Sequence, residues 1–203
     1  MNAASHARKA VAAFSRDQRG GAIIEFAVVA PVLIAFLIFL FETGYMLYAS
    51  AILSGEVNAA GRLSTLETAT DTTRANYDAR VTEQVRRLVP QGEVTFTRTA
   101  FSTYGLAQSR AESFADTNGN DACDNGESFV DANFNGVFDL DGGRDGGGGA
   151  KDVVIYTATL EYDRLLPVEA LLGFDKTVRI NATTLLRNQP FSAQAVPPTR
   201  ICP

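Results

Sequence analysis

The 203-residue chain has a formal net charge of -5, 46% hydrophobic residues and one histidine, His6. That apolar share excludes a wholly disordered chain, and the length suits one domain of ordinary size with an appendage. One histidine and two cysteines, Cys123 and Cys202, with no CxxC pair, argue against a zinc site. The charge is local. Nine acids between Glu112 and Asp145 face only Arg144, which leaves this stretch at -8 and the rest of the chain at +3. Such a segment repels nucleic-acid phosphates and suits a cation.

Residues 1–20 are polar, with Arg8, Lys9, Arg16 and Arg19 against Asp17. From Gly21 to Phe41 the only charge is Glu25. Some twenty apolar residues, at about 1.5 Å each, match a hydrocarbon core about 30 Å thick, so this run predicts a single membrane span. The basic residues before it predict a cytoplasmic N-terminus and an exported remainder. A cleaved secretory signal is the competing reading, with Ala49-Ser50-Ala51 as its cleavage site. The length of the apolar run and the carboxylate at its start weigh against it.

A carboxylate in hydrocarbon costs on the order of 3 kcal/mol, so Glu25 calls for either an edge position near water or a positive partner. Gly20, four residues, Glu25-Phe26 and then an unbroken apolar run together resemble the type IV prepilin cleavage motif. The resemblance implies a membrane-embedded prepilin peptidase that cuts between Gly20 and Gly21. Glu25 then becomes the fifth mature residue and pairs with the N-terminal amine of a neighbouring pilin or pseudopilin helix. The doubled glycine also allows a cut after Gly21. Further on, Glu42-Thr43-Gly44, Ala59-Ala60-Gly61-Arg62 and, near the end, Leu186-Arg187-Asn188-Gln189-Pro190-Phe191 resemble TadE-like minor pseudopilins of the tight-adherence (Flp-type) pilus system. This implies a protein of the bacterial inner membrane that passes the bilayer once, with its C-terminal domain outside the cytoplasm.

Beyond the membrane, Ala49, Ile52, Leu53, Val57, Ala60 and Leu63 recur at threes and fours and predict that the helix continues to Glu67, on the order of 70 Å in all. Pro31 should kink it. Thr68 to Thr73 reads as a break, and Ala75 to Leu88 as a second helix ended by Pro90. Alternation then predicts strands over 93–101, 152–162 and 176–187, with Arg98 on the apolar face of the first. Leu165 to Phe174 reads as a connecting turn of helix. The fold class is therefore α+β, with a long N-terminal helix and a small antiparallel sheet. The expected organisation is a leader over 1–20, a transmembrane and spine helix over 21–67, and an exported domain over 68–203.

Residues 116–149 interrupt the sheet and hold nine of the seventeen glycines. Asp116, Asn118, Asn120, the Ala122 carbonyl, Asp124 and Glu127 fall at positions one, three, five, seven, nine and twelve of a calcium loop, with Asp121 where glycine is usual. A second copy uses Asp131, Asn133, Asn135, the Val137 carbonyl and Asp139. Its twelfth residue is Gly142, so Asp141 or Asp145 would have to swing in. One or two calcium ions are expected here, with a flexible linker over 142–149. In an exported domain, Cys123 and Cys202 could pair or stay as free thiols. With no catalytic histidine, GxSxG motif or P-loop, the chain reads as a non-enzyme. The leading function is assembly of an attachment pilus through the bilayer-embedded helix. The alternative is a calcium-binding adhesion module, membrane-anchored or secreted.

Overall fold

The structure, a computed structural model of the chain, describes residues 21–66, 70–166, 173 and 175–203. Helix α1 spans Gly21–Ser64 without a break, and Pro31 lies inside it. Its unbroken assignment follows from a sequence with no second proline, whose glycines cost about 1 kcal/mol each and do not stop a helix. The chain divides into two compact units, residues up to Tyr45 and Met46–Pro203. The first unit holds the apolar start of α1, the one described helix long and apolar enough to cross a membrane. The leader over 1–20 and the predicted helix end at Glu67 lie outside the described residues.

In the second unit, α2 (Asp71–Leu88) begins a turn earlier than predicted. Thr70 caps it by accepting a hydrogen bond from the Thr73 amide, and Asp71 favours the first turn. The polar residues read as a break therefore include a helix start. The first predicted strand matches, and the second and third each begin one residue later than expected: β1 is Glu93–Phe101, β4 is Val153–Asp163 and β5 is Thr177–Arg187. Helix α3 (Tyr104–Ser109) and the short strands β2 (Ser128–Val130), β3 (Arg144–Asp145) and β6 (Thr199–Ile201) were not foreseen. They are too short for periodicity to register. The predicted connecting helix over 165–174 lies mostly outside the described residues.

One sheet runs β3-β1-β4-β5, antiparallel throughout, and β2 pairs with β6 in a second. Val154, Tyr156, Ala158 and Leu160 of β4 and Val178, Ile180 and Ala182 of β5 are buried, as are Leu53, Val57 and Ala60 of α1 and Val81 and Val85 of α2. This is a helix layer on one face of a sheet. Leu63, expected on the buried stripe, is 40% exposed, and Ser64 is buried instead. Gly61 lies at a close approach of α1 to the sheet, where a Cβ would lie 2.6 Å from Leu186 Cδ1 and 2.9 Å from Thr184 Cγ2 and would push these β5 side chains aside.

Arg98 faces the helices because α2 answers it. Its guanidinium donates two hydrogen bonds to Asp78, at 2.8 and 2.6 Å, and lies 4.2 Å from the centre of the Tyr156 ring. The Tyr156 hydroxyl donates to the same carboxylate at 2.6 Å. Burial first, and then that hydrogen bond, push the Tyr156 phenol far above its ordinary pKa.

The stretch expected to be a flexible linker is packed. Arg144–Asp145 forms β3 against β1, and the Asn188 side-chain amide donates to the carbonyls of Gly147 and Gly149 at 2.8 Å. A Cβ on Gly147 would meet the Arg74 guanidinium, so glycine there serves close packing rather than looseness.

Candidate functional site

Two regions carry the chemistry singled out in the sequence. The first is the start of α1. Gly20 lies outside the described residues, and Gly21 is the first helical one. Glu25 and Phe26 sit on its second turn, and both are exposed. So are Ile23, Val28, Val32, Phe36, Leu40 and Phe41, which leaves apolar side chains on all sides of the helix. A helix satisfies its own backbone, as hydrocarbon requires, and only Glu25 is charged in this run. What the surface can do is associate, with lipid and with other helices.

The second region is the acidic stretch, which forms two matching loops. In the first, Asp116 accepts from the amides of Gly119 (2.7 Å), Asn120 (3.3 Å) and Asp121 (3.0 Å). Asn118 accepts from the Asn120 amide and Asn120 from the Ala122 amide. The side-chain amides of Asn118 and Asn120 both donate to Asp124 at 2.7 Å. Glu127 closes the loop, accepting from the Thr117 amide at 2.7 Å and the Asp124 amide at 3.0 Å.

The second loop repeats these bonds. Asp131 accepts from the amides of Asn135 and Gly136, both at 3.0 Å, and Asn133 and Asn135 accept from the amides of Asn135 and Val137. The side-chain amides of Asn133 and Asn135 donate to Asp139. The closing carboxylate is neither Asp141, which pairs with Arg110, nor Asp145, which lies in β3. It is Glu112, which accepts from the Ala132 amide at 2.7 Å and the Asp139 amide at 3.0 Å.

The reason is a short antiparallel ladder. Phe114 pairs with Phe129, and the amides of Ala115 and Val130 donate to the carbonyls of Ser128 and Ser113. That register sets Asp116 across from Glu127 and Glu112 across from Asp131, one pair at each end. The signal was present in the sequence: Glu112-Ser-Phe-Ala-Asp116 recurs as Glu127-Ser-Phe-Val-Asp131. The repeat starts four residues before the first loop, and each copy lends its glutamate to the other's loop.

Both loops turn through left-handed geometry at their fourth and sixth positions. Gly119 (φ 75°) and Asp121 (φ 60°) do so in the first, and Phe134 (φ 66°) and Gly136 (φ 86°) in the second. Asp tolerates this region, while Phe is strained there. Its ring lies 5.2 Å from the Arg144 guanidinium. Hydrogen bonds from backbone amides, that of Asp121 foremost, hold the Asp116 carboxyl below its ordinary pKa. Glu127 is lowered likewise, chiefly by the Asp124 amide.

The loops differ in how they are tied down. Cys123 of the first loop forms a disulfide with Cys202, with Cα atoms 5.9 Å apart, beside the β2–β6 pair. Asp131 of the second loop, fully buried, receives the Arg200 guanidinium. Among the described residues, no three His, Cys, Asp or Glu side chains converge in a way that could hold a metal ion. The side-chain oxygens of Asp116, Asn118, Asn120, Glu127, Asp131, Asn133 and Asn135 accept backbone amides, and those of Asp124 and Asp139 accept the asparagine side-chain amides.

Residues 20–62 match the family model described as TadE-like protein. The match falls on the segment that carries the Gly20 and Glu25 motif, so the chain contains a TadE-like N-terminal segment. It supports involvement in a tight-adherence pilus system. No curated protein and no solved structure matches the chain.

Proposed function

We propose that this chain, with its TadE-like N-terminal segment, acts as a minor pseudopilin in assembly of a tight-adherence pilus. The observation that carries the reading is the coincidence of the family match with a helix whose apolar side chains are exposed around a single carboxylate, Glu25. The helix lies in the inner membrane with its basic leader in the cytoplasm and residues after about 45 outside. A prepilin peptidase removes the leader after Gly20. Glu25 then pairs with the N-terminal amine of an adjacent pilin-type helix, so that two groups costly in lipid offset one another. The role is structural, and no catalytic step is assigned to any residue. The Cys123–Cys202 disulfide supports an oxidising location for the domain. The test is Glu25→Ala in piliated cells. The variant is expected to insert into the membrane normally and to fail to co-purify with pilus subunits. Normal incorporation would remove the pairing argument.

A second reading concerns the duplicated loops: each binds one calcium ion when calcium is present and strengthens the exported domain for adhesion. It is supported by the spacing of Asp116, Asn118, Asn120, Asp124 and Glu127 and its repetition from Asp131 to Asp139. Glu112 supplies the carboxylate that the second loop otherwise lacks. Binding requires the Asn118, Asn120, Asn133 and Asn135 amides to leave Asp124 and Asp139 and present oxygen. Calorimetry of the full chain with millimolar calcium should give saturable heat. Absence of heat, with a melting temperature indifferent to chelator, would eliminate it.

A further inference from the structure

The sequence contains three Asn-Gly pairs, Asn118-Gly119, Asn125-Gly126 and Asn135-Gly136, all within the acidic stretch. This dipeptide is the most prone to succinimide formation, because glycine leaves its amide nitrogen open to approach the preceding side chain. Two of the pairs are held at every reacting atom. The Gly119 amide donates to Asp116 at 2.7 Å, while the Asn118 side chain donates to Asp124 and accepts from Asn120. The Gly136 amide donates to Asp131 at 3.0 Å, and the Asn135 side chain donates to Asp139 and accepts from Val137. To react, either glycine must give up a charge-assisted hydrogen bond, and its asparagine must give up two contacts.

Asn125 is different. It is exposed in a turn closed by the Glu127 amide donating to the Asp124 carbonyl at 3.0 Å. Among the described residues its side chain has no hydrogen-bond partner, and the Gly126 amide makes only a long contact of 3.4 Å with the Cys202 carbonyl. We propose that Asn125-Gly126 is a site of spontaneous deamidation that the fold leaves open while closing the other two. The Gly126 nitrogen loses its proton and attacks Asn125 Cγ. The Cγ–Nδ2 bond breaks, and ammonia departs with the proton. Water then opens the succinimide at either carbonyl to give aspartate or isoaspartate. No oxidant or reductant is needed, and the rate rises with pH because the amide must lose a proton.

The position gives the reaction a consequence. An isoaspartate adds a methylene to the backbone between Asp124 and Glu127, the two residues joined by the bond that closes the first loop. Ageing at Asn125 should therefore loosen the first loop and leave the second intact.

The test ages the full-length protein at mildly alkaline pH, folded in detergent and, in parallel, reduced in urea. Fragment mass spectrometry of the digest then reads each asparagine. In the folded protein, conversion at Asn125 should exceed that at Asn118 and Asn135 by roughly tenfold or more, given the bonds that hold the latter. In urea the three should converge. Asn125→Ser should abolish the fast conversion. The proposal is overturned if Asn118 or Asn135 converts as fast as Asn125 in the folded protein, or if Asn125 is protected there relative to urea as strongly as they are.

Discussion

The start of α1 and the acidic loops handle difficult side chains in opposite ways. From Ile23 to Phe41 the helix leaves large apolar side chains exposed, along with one carboxylate, Glu25. In the loops, by contrast, Glu112, Glu127 and Asp131 are buried acids, yet each accepts amides from its own chain, and Asp131 also meets Arg200. Buried charge is tolerable only when so satisfied. The helix therefore looks outside the molecule for partners, and the loops look inside. Substitutions in the helix should change association without touching the stability of the domain, and substitutions in the loops should do the reverse.

Replacing Cys123 and Cys202 together by serine frees a chain separation of 79 residues. The loss should be about 4 kcal/mol on the entropic account, read by denaturant unfolding of the full chain with membrane insertion unchanged. Asp78→Ala strands Arg98 in a nearly enclosed site and should cost about 3 kcal/mol, most of it recovered if Arg98 is removed as well. Glu112→Gln should cost about 2 kcal/mol, because a charged acceptor is lost at the amides of Ala132 and Asp139 and, more weakly, at that of Asn133. Its effect on the amides of Ala132 and Asp139 should match that of Glu127→Gln on Thr117 and Asp124, if the loops are truly reciprocal. Phe134→Gly should gain up to about 1 kcal/mol, since glycine relieves the left-handed strain.

Acid should act on the first loop in a definite direction. The folded-state pKa values of Asp116 and Glu127 lie below their ordinary values. Their contribution is therefore fully present above about pH 5.5, where both are ionised even when unfolded, and is lost as pH falls through the ordinary and then the depressed values. The protection of the Thr117 and Asp121 amides against hydrogen exchange, relative to their intrinsic rates at each pH, should fall over that acid range. No change there would mean that these bonds do not hold the loop.

Much of this was legible in the sequence, for reasons that differ by element. The apolar run from Gly21 and the alternation in β4 and β5 follow from burial and period, which a single sequence displays directly. Arg98 breaks the alternation of β1, because its partner Asp78 lies on another element and pairing across elements leaves no periodic trace. The loops were placed by Asp and Asn spacing. Glu112 is invisible to a loop pattern that runs forward from Asp116 and stops at its own twelfth residue. Starting the repeat at Glu112-Ser-Phe would have recovered the closing acid of the second loop. The glycines over 142–149 suggested looseness, whereas Gly147 is there to admit Arg74.

The central claim is that the N-terminal helix is made for partners outside the chain, with Glu25 near a newly exposed amine. N-terminal sequencing of the protein extracted from membranes of piliated cells tests it most directly. The account predicts a mature chain that begins at Gly21. A chain that still begins at Met1, or one that begins near residue 50, would contradict it.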